Sequence, residues 1–293
     1  MLEGTIIKGV GGQYTVDTLK GKYVCNARGL FRKQKITPIV GDRVQINFVE
    51  DKGRSVSGSE LVGSGTLMAI MPRRNELRRP RVANVDQVIV VLAVSQPPLS
   101  FTLLDRYLIQ AEYEGIEASI CINKIDLDCV LPAEVEDIYV PIGYPVFTVS
   151  ANSGAGLQDV KEFLQRKTTV LAGPSGVGKS SIINSLIEEK KLATGVVSER
   201  IGRGKHTTRH AEFVPISASG YVIDTPGFSS LDPPDVSLLK RGSLFKEFGP
   251  WLGQCKFRDC LHKSEQGCVV REQIGLTIDP RRYARYLEWI NNQ

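Results

Sequence analysis

The chain has 293 residues, of which 42% are hydrophobic, so it is long enough to form two or three domains with ordinary cores. Its longest apolar run, residues 88–94, is too short to span a bilayer, and the first residues lack a basic region followed by an apolar one. These features argue against a secreted or membrane-spanning protein. We therefore expect a cytoplasmic protein without a membrane partner.

The net charge of +5 is unevenly distributed along the chain. Basic residues exceed acidic ones by 8 in residues 1–85 and by 4 in residues 240–293, whereas acidic residues are in excess by 7 in residues 86–239. An acidic middle between two basic ends predicts that the ends contact a polyanion. Ordinary solvated surface charge is the alternative.

The first seventy residues or so contain five short segments of strand-like composition, separated by glycine-rich turns and by the Gly/Ser-rich stretch 53–65. These segments are residues 4–10, 13–18, 22–27, 43–49 and 66–70. Five short strands in a small basic domain predict an OB-type β-barrel, a fold that often binds nucleic acid. An SH3-like barrel or a purely structural module is also compatible with the pattern.

Residues 73–81 contain five arginines, with prolines at positions 72 and 80. The prolines disfavour a long helix, so we predict an extended basic linker that contacts phosphates. A linker that is merely solvated is the alternative.

From residue 86 onwards, apolar strand-like runs alternate with segments of helical spacing. The predicted strands are residues 87–94, 118–122, 146–149, 168–172 and 221–223, and the predicted helices are 103–113, 133–139, 157–165 and 181–187. This alternation predicts a parallel sheet covered by helices on both faces. The loops after the strands should gather at one edge, where ligands bind.

A glycine loop joins the strand at 168–172 to the following helix. It consists of Gly173, Pro174, Ser175, Gly176, Val177, Gly178, Lys179 and Ser180, followed by Ser181 at the helix start. The glycines let backbone N–H groups surround a polyphosphate, and the helix N-terminus adds its positive end. Lys179 is placed to reach the β- and γ-phosphates, and Ser180 to bind Mg²⁺.

Two further motifs follow neighbouring strands and predict guanine recognition. The first is Asn123, Lys124, Ile125 and Asp126, and the second is Ser150, Ala151 and Asn152. Asp126 can accept hydrogen bonds from the N1–H and the 2-amino group of guanine, whereas adenine offers neither donor. We expect a buried carboxylate here, because leaving it unpaired would be costly and would make the site selective. The second motif would supply a backbone N–H to the guanine oxygen.

The parts needed for phosphoryl transfer follow the glycine loop. Asp224 ends the strand at 221–223 and is predicted to lie near Mg²⁺, while the N–H of Gly227 would contact the γ-phosphate. The basic, glycine-punctuated loop at 202–210 contains Thr207 and Thr208. One threonine would complete the Mg²⁺ coordination in the triphosphate state, and we favour Thr208.

Near the end of the chain, Cys255, Cys260, His262 and Cys268 are separated by four, one and five residues. Three thiolates and an imidazole satisfy tetrahedral Zn²⁺, and such a closed set leaves no open position for catalysis. The spacing differs from that of fingers with paired CxxC motifs. Reduced core cysteines beside a chance histidine are therefore the alternative, and Cys25, Cys121 and Cys129 are expected to be incidental.

Helical spacing is also found around this cluster, at residues 238–248 and 281–290. The second segment combines basic and aromatic side chains, namely Arg281, Arg282, Arg285, Tyr283, Tyr286 and Trp289. A basic face interleaved with aromatic rings would suit RNA. The rings can equally be expected to pack in the core of their own domain.

Each nucleotide motif is similar to a recognition element of P-loop GTPases, but the order differs. The guanine motifs at 123–126 and 150–152 precede the glycine loop at 173–180, which is a circular permutation. With a basic barrel ahead and a Cys/His cluster behind, the chain resembles the RsgA family, also called YjeQ or YloQ. These are permuted GTPases of small ribosomal subunit biogenesis, and the resemblance covers essentially the whole chain.

The resemblance implies a multi-domain α/β fold. Its parts would be an OB-type RNA-binding barrel at 1–71, a basic linker at 72–85, a circularly permuted GTPase domain at 86–232 and a helical zinc-binding domain at 233–293. It also implies one structural Zn²⁺ on the four residues named above, and Mg²⁺ bound with GTP. The implied partners are GTP or GDP and the small ribosomal subunit with its rRNA, bound by a monomer.

The resemblance bears on catalysis as well. Phe228 follows the DTPG motif where many GTPases have a glutamine that positions the attacking water. His206 matches the histidine that the family is proposed to use instead, because a histidine near neutral pKa can orient water or accept its proton. Together with Lys179 and Thr208 it forms the predicted catalytic set. A histidine that contacts RNA, or nothing, is the alternative.

The predicted function is therefore a ribosome-stimulated GTP hydrolase that assists late maturation of the small subunit and leaves after hydrolysis. A non-enzymatic rRNA-binding module that senses GTP and GDP is the main alternative, and the missing glutamine favours it. Asp126 argues against an ATP-dependent enzyme. The permutation also suggests that residues 228–236 transmit loss of the γ-phosphate to the zinc domain and reorient it.

Overall fold

The computed structural model of the chain describes residues 1–33, 36–50, 61–78, 81–127, 133–194, 212–217, 220–224 and 234–291. The predicted residues Cys129, His206, Thr207, Thr208 and Gly227 lie outside these ranges, and of Asp224 the backbone alone is described. Two compact units are formed, and each is described by itself. The first contains Met1–Gln87, Leu157–Leu171 and Lys179–Ser229, and the second contains Val88–Gly156, Ala172–Gly178 and Ser230–Gln293.

The strands in chain order are β1 (Leu2–Val10), β2 (Gln13–Thr18), β3 (Gly21–Ala27), β4 (Arg43–Glu50), β5 (Leu61–Ile70), β6 (Glu76–Arg78), β7 (Arg81–Ala83), β8 (Gln87–Ala93), β9 (Glu117–Asn123), β10 (Val146–Thr148), β11 (Thr168–Ala172), β12 (Glu212–Ser217) and β13 (Gly220–Asp224). The α-helices are α1 (Gly29–Lys33), α2 (Phe101–Glu114), α3 (Ala133–Tyr139), α4 (Leu157–Phe163), α5 (Lys179–Thr194), α6 (Leu238–Arg241), α7 (Val269–Glu272) and α8 (Pro280–Asn291). Two 3₁₀ helices lie at Gly242–Leu244 and Lys246–Trp251.

The first unit begins with a closed five-stranded barrel, which confirms the predicted OB-type fold. The strand order is β1-β2-β3-β5-β4, and β4 pairs with β1 to close the barrel. All pairs are antiparallel except β3 with β5. Burial alternates along β4 with the two-residue period of a half-buried strand, because Val44 and Ile46 are buried while Arg43 and Asn47 are exposed.

The fifth strand is longer than predicted, since β5 begins inside the Gly/Ser-rich stretch that we expected to be a turn. A Cβ atom at Gly63 would lie 2.3 Å from the Val49 carbonyl oxygen, and one at Gly65 would lie 2.7 Å from that of Asn47. These glycines therefore belong to a strand whose backbone approaches β4 closely.

The arginine-rich stretch after the barrel is a short hairpin of β6 and β7 rather than an extended linker. Arg73 donates from Nε and Nη2 to both carboxylate oxygens of the buried Asp42, at 2.7 and 2.9 Å. Arg74 pairs with Asp86 at 2.6 Å, and Arg81 with Glu76 at 2.9 Å. Arg73 therefore neutralises a buried carboxylate of the fold, whereas the side chains of Arg74 and Arg81 are more than half exposed. That this stretch contacts phosphates stays a prediction.

Three more strands of the first unit extend the barrel sheet in the order β11-β13-β12-β1. β13 is parallel to β11 and antiparallel to β12, and β12 pairs with the barrel strand β1. β12 is not among the predicted strands, and it contains Pro215, a residue type that disfavours an interior strand. The pairing of β12 with β13 is irregular between Pro215 and Ser217, which accommodates the proline.

The second unit contains the strand order β10-β9-β8, with β10 parallel to β9. Every residue of β8 is buried, as expected for a strand covered on both faces. Helix α2 is capped at its N-terminus by Ser100, whose hydroxyl accepts from the Leu103 N–H, and at its C-terminus by Gly115, which has the left-handed conformation. Among the described residues, no helix combines the length and apolarity needed to cross a bilayer.

The C-terminal part of the second unit packs around Phe245, Phe248 and Tyr286, together with Ile109 from α2. The helix predicted at 238–248 is broken into α6 and the two 3₁₀ helices. Gly242 begins the first 3₁₀ helix and Pro250 lies in the second, and both residue types disfavour an α-helix. Helix α8 is confirmed and extends the prediction by one residue at each end.

The predicted RNA-binding face of α8 is wrong. Arg282 is fully buried, and Arg285 binds the buried Asp105 of α2. Tyr283 and Tyr286 are buried, so the aromatic side chains form core rather than an exposed stacking surface. Of the three predicted arginines, Arg281 alone is exposed, and it pairs with Asp279 at 2.8 Å.

Candidate nucleotide site and metal centre

The glycine loop follows β11 and leads into α5, whose first residue is Lys179. Two of its glycines have positive φ and no room for a side chain. A Cβ atom would lie 2.1 Å from the Val91 carbonyl oxygen at Gly173 and 2.2 Å from Nδ2 of Asn123 at Gly178. Ser175 and Gly176 are exposed, so the outer turn of the loop is open to a ligand.

Asn123 joins this loop to the second guanine motif. Its buried amide donates from Nδ2 to the Val177 carbonyl at 2.8 Å and accepts at Oδ1 from the Ala151 N–H at 3.1 Å. Both ends of the side chain are therefore used within the protein. Asn123 fixes the distance between the phosphate loop and the 150–152 turn.

Asp126 lies beside the same turn, and its carboxylate is held by two side chains. Ser150 Oγ donates to Oδ1 at 2.7 Å, and Asn152 Nδ2 donates to Oδ2 at 3.3 Å. The expectation of a buried carboxylate is wrong, because Asp126 is exposed. The hydrogen bond from Ser150 holds the pKa of Asp126 below its ordinary value, so the carboxylate is ionised and oriented before any base binds.

Two of the three backbone N–H groups of the 150–152 turn donate hydrogen bonds within the protein. The Ser150 N–H donates to the Ala155 carbonyl at 3.0 Å and the Ala151 N–H donates to Asn123. The N–H of Asn152 is the one of the three without an acceptor in the part of the chain that the structure describes. Lys124 also lies here, with its ammonium group bound to the Gln96 carbonyl.

The four predicted metal ligands come together in the C-terminal region. The donor atoms of Cys255, Cys260, His262 and Cys268 all lie within 4.8 Å of one another. His262 Nδ1 is 3.6 Å from Cys255 Sγ and 3.4 Å from Cys268 Sγ, and these two sulfur atoms are 3.9 Å apart. Burial lowers the pKa of His262, which keeps the imidazole neutral as a metal ligand requires. This cluster can hold a metal ion.

The loop that carries His262 is held by Glu265 and two tyrosines. Glu265 accepts from the N–H groups of Leu261, Lys263 and Ser264 at 2.9, 2.7 and 3.0 Å. Desolvation raises the pKa of Glu265, but these backbone hydrogen bonds outweigh it and lower the pKa to about 2. Tyr283 and Tyr286 of α8 donate to the carbonyls of His262 and Leu261, each at 2.7 Å. Helix α8 therefore supports the metal cluster directly.

Residues 70–234 match the RsgA GTPase family, and residues 3–56 match the RsgA N-terminal domain. The chain belongs to the RsgA family. A relative from Alkaliphilus metalliredigens, named small ribosomal subunit biogenesis GTPase RsgA, is 43% identical over 295 residues that cover 99% of this chain and 97% of its own. A relative of the same name from Clostridium perfringens is 43% identical over 292 residues, covering 98% and 96%.

Two solved structures resemble this RsgA chain over nearly its whole length. YjeQ from Thermotoga maritima has a TM-score of 0.82 at 34% identity and covers 99% of this chain and 97% of its own. YloQ, described as a circularly permuted GTPase, has a TM-score of 0.79 at 35% identity and covers 99% and 94%. The chain is a GTPase with the permuted motif order, and the non-enzymatic alternative is not retained.

Sequence reasoning missed a buried network between α2 and α8 of this RsgA chain. Arg282 binds the carboxylates of Asp105 and Glu247, and Asp105 also binds Arg285 and accepts a 2.5 Å hydrogen bond from the Tyr139 hydroxyl. One feature of the sequence could have indicated this network, namely that Asp105 interrupts an otherwise apolar helix face. Such a position predicts a buried partner of opposite charge.

Proposed function

We propose that this chain is a monomeric GTPase that binds the small ribosomal subunit, assists its late maturation and leaves after GTP hydrolysis. The observation that carries the proposal is the permuted order of nucleotide motifs on a chain that also has an OB-type barrel and a Cys₃His cluster. The relatives are named small ribosomal subunit biogenesis GTPase, and this name indicates the partner. A biogenesis factor of this kind is expected in the cytoplasm.

We assign the guanine base to Asp126, with Lys124 and the 150–152 turn beside it. Asn123 contributes by holding the turn and the phosphate loop together. The phosphates are assigned to the loop residues, namely Gly173, Pro174, Ser175, Gly176, Val177, Gly178, Lys179, Ser180 and Ser181, with Gly227 at the γ-phosphate. Ser180, Thr208 and Asp224 are assigned to Mg²⁺, which would neutralise charge on the β- and γ-phosphates.

We propose Zn²⁺ as the ion of the Cys₃His cluster. Typical bond lengths of about 2.3 Å to sulfur and 2.0–2.1 Å to nitrogen place tetrahedral ligands about 3.8 Å (S to S) and 3.6 Å (S to N) apart. The distances of 3.9, 3.6 and 3.4 Å in the cluster agree with these values. With four protein ligands, the ion would act as a structural support and not as a catalyst.

The metal assignment predicts that purified protein contains about one zinc per chain and that His262→Ala reduces this to nearly none. Trp251 and Trp289 are the only tryptophans, and both lie in the C-terminal region, so their fluorescence should shift when a chelator removes the ion. Elemental mass spectrometry measures the metal. Cys25→Ala, at a buried barrel cysteine outside the cluster, is the control and should keep its zinc. Metal-free wild-type protein, or an unchanged content in His262→Ala, would contradict the assignment.

The rRNA contacts are assigned to exposed residues of the barrel and of the metal-binding region. Lys20, Arg28 and Arg43 are exposed on the barrel. Lys256, Phe257 and Arg258 are exposed between the first two metal ligands, and Phe257 has 46% of its surface accessible. An aromatic ring flanked by two cations suits stacking on an unpaired base beside a phosphate.

His206 is proposed to orient or activate the attacking water, since Phe228 stands where a catalytic glutamine is common. Hydrolysis is expected to be slow alone and faster with small subunits. His206→Ala should lower the stimulated kcat by about 10²-fold or more, the usual size of a general-base contribution, while GTP affinity is unchanged.

The measurement is GTP hydrolysis by wild type and His206→Ala, with and without purified small subunits. His210→Ala, in the same loop, is the matched control and should behave like wild type. Stimulation of wild type that is retained in His206→Ala would remove the histidine from the mechanism. Absence of stimulation in wild type would contradict the ribosome-activated function.

A further inference from the structure

The strands β12 and β13 form a hairpin that is attached to the barrel. β12 pairs antiparallel with the barrel strand β1, with Lys8 opposite Glu212, and both strands belong to the first unit. The hairpin continues on its other side into β11, where Thr168 lies opposite Tyr221. The barrel and the strand that ends in Asp224 are therefore parts of one continuous sheet.

A side-chain hydrogen bond reinforces this attachment. The hydroxyl of Tyr221 on β13 donates to the Asp17 carboxylate on β2 at 2.7 Å, across 204 residues of chain. Burial and the hydrogen bond to Asp17 raise the pKa of Tyr221, so the phenol remains protonated as the donor. A bond from a hydroxyl to a carboxylate is stronger than one between neutral groups. The ring of Tyr221 also packs on Phe213 of β12, with centroids 5.6 Å apart.

The hairpin lies in the sequence between the two motifs that are assigned to Mg²⁺ and the γ-phosphate. The glycine-punctuated basic loop at 202–210 ends two residues before β12 begins, and β13 ends at Asp224, the first residue of the DTPG motif. Both motifs that are assigned to Mg²⁺ and the γ-phosphate are therefore covalently continuous with a hairpin held by the barrel.

We propose that Tyr221 and Asp17 are positioning residues that couple occupancy of the barrel to the hairpin β12–β13, so that binding of the ribosomal subunit accelerates hydrolysis through this sheet. The inference rests on the proposed function, because it needs a subunit that binds the barrel. It adds to that function a path from the barrel to the hairpin β12–β13 that involves no catalytic side chain. The physical requirement is that the barrel and the hairpin move together, which the shared sheet and the Tyr221–Asp17 bond provide.

The test is the stimulation of GTP hydrolysis by saturating small subunits for Tyr221→Phe, Asp17→Asn and the double variant. We expect each to lose about tenfold in stimulation, within the usual range of coupling between sites, with no change in basal turnover or in subunit affinity measured by sedimentation. The double variant should lose no more than Tyr221→Phe alone, because Tyr221→Phe removes the donor of the bond whose charged acceptor Asp17→Asn neutralises. Tyr144→Phe, which removes a 2.9 Å bond to Glu112 in the second unit, is the matched control.

The outcomes separate this inference from the proposed function. Wild-type protein without stimulation would overturn both. Stimulation of wild type that is fully retained in Tyr221→Phe and Asp17→Asn would overturn the coupling alone. A loss of subunit affinity equal to the loss of stimulation would show that the bond serves barrel structure rather than coupling, and would also overturn it.

Discussion

Asp126→Asn is expected to lower the affinity for GTP by roughly 10²- to 10³-fold, because the charge of the acceptor is lost and one of its two hydrogen bonds becomes a contact between two donors. In the proposed assignment, the carboxylate accepts from both the N1–H and the 2-amino group of guanine. The asparagine amide offers one acceptor and turns its own NH₂ toward the 2-amino group. Isothermal titration calorimetry with GDP and a non-hydrolysable GTP analogue measures the change.

Xanthine nucleotides provide the decisive comparison. Xanthine has a carbonyl in place of the 2-amino group, so it can accept from the asparagine NH₂ while its N1–H donates to the asparagine oxygen. The variant should therefore prefer xanthosine nucleotides, and wild type should prefer guanosine nucleotides. Asp137→Asn, an exposed aspartate on α3, is the control and should leave both affinities unchanged. Equal loss of affinity for both bases would indicate a damaged site and not altered base recognition.

The same comparison has a defined pH dependence. Because Ser150 lowers the pKa of Asp126, its carboxylate remains ionised to a lower pH than an ordinary aspartate does. Its contribution to binding is lost only as the pH falls through the lowered pKa. The ratio of wild-type to variant affinity should thus begin to fall at a lower pH than it would for an aspartate of ordinary pKa, about 3.9.

Arg282→Met is expected to destabilise the C-terminal region by about 3–5 kcal/mol, because it leaves the buried carboxylates of Asp105 and Glu247 without their shared counter-ion. The guanidinium is fully buried and lies over the rings of Tyr139 and Phe245, 5.2 and 5.1 Å from their centroids. Urea unfolding followed by tryptophan fluorescence reports this region, since both tryptophans lie in it.

Arg281→Met is the matched control, one residue earlier on the same helix. Arg281 is 44% exposed and pairs with Asp279 and the exposed Glu134, so its loss should lower the free energy of unfolding far less than the loss of Arg282 does. Adding Asp105→Asn and Glu247→Gln to Arg282→Met should recover part of the lost stability by removing the unpaired charges. If both arginine substitutions lowered the free energy of unfolding equally, the buried network would not be what holds α8 in place.

This network also bears on how a nucleotide signal reaches the metal-binding region. The permutation suggested that residues 228–236 reorient this region after hydrolysis. Within the second unit, however, α8 is tied to α2 by Asp105, Arg282 and Arg285, and Ile109 of α2 belongs to the C-terminal core. Breaking such contacts is costly. The structure therefore favours α2 and the metal-binding region moving as one body.

The sequence by itself determined the barrel and the alternating strands and helices, along with the spacing of the metal ligands. These features are local, since the two-residue period of β4 and the glycines of the phosphate loop depend on neighbouring residues. The permuted order of motifs is likewise a property of the sequence. It was enough to predict a GTPase of this family, which the comparisons confirmed.

The tertiary structure alone decided the role of the charged side chains. Arg73 and Arg282 have the same chemistry as arginines that bind RNA, and no local pattern separates the two uses. Their partners Asp42 and Asp105 lie 31 and 177 residues away in the chain. When the fold brings a carboxylate next to an arginine, the guanidinium no longer contributes to the surface charge. The pairing compensates the hydration that both groups lose when they are buried.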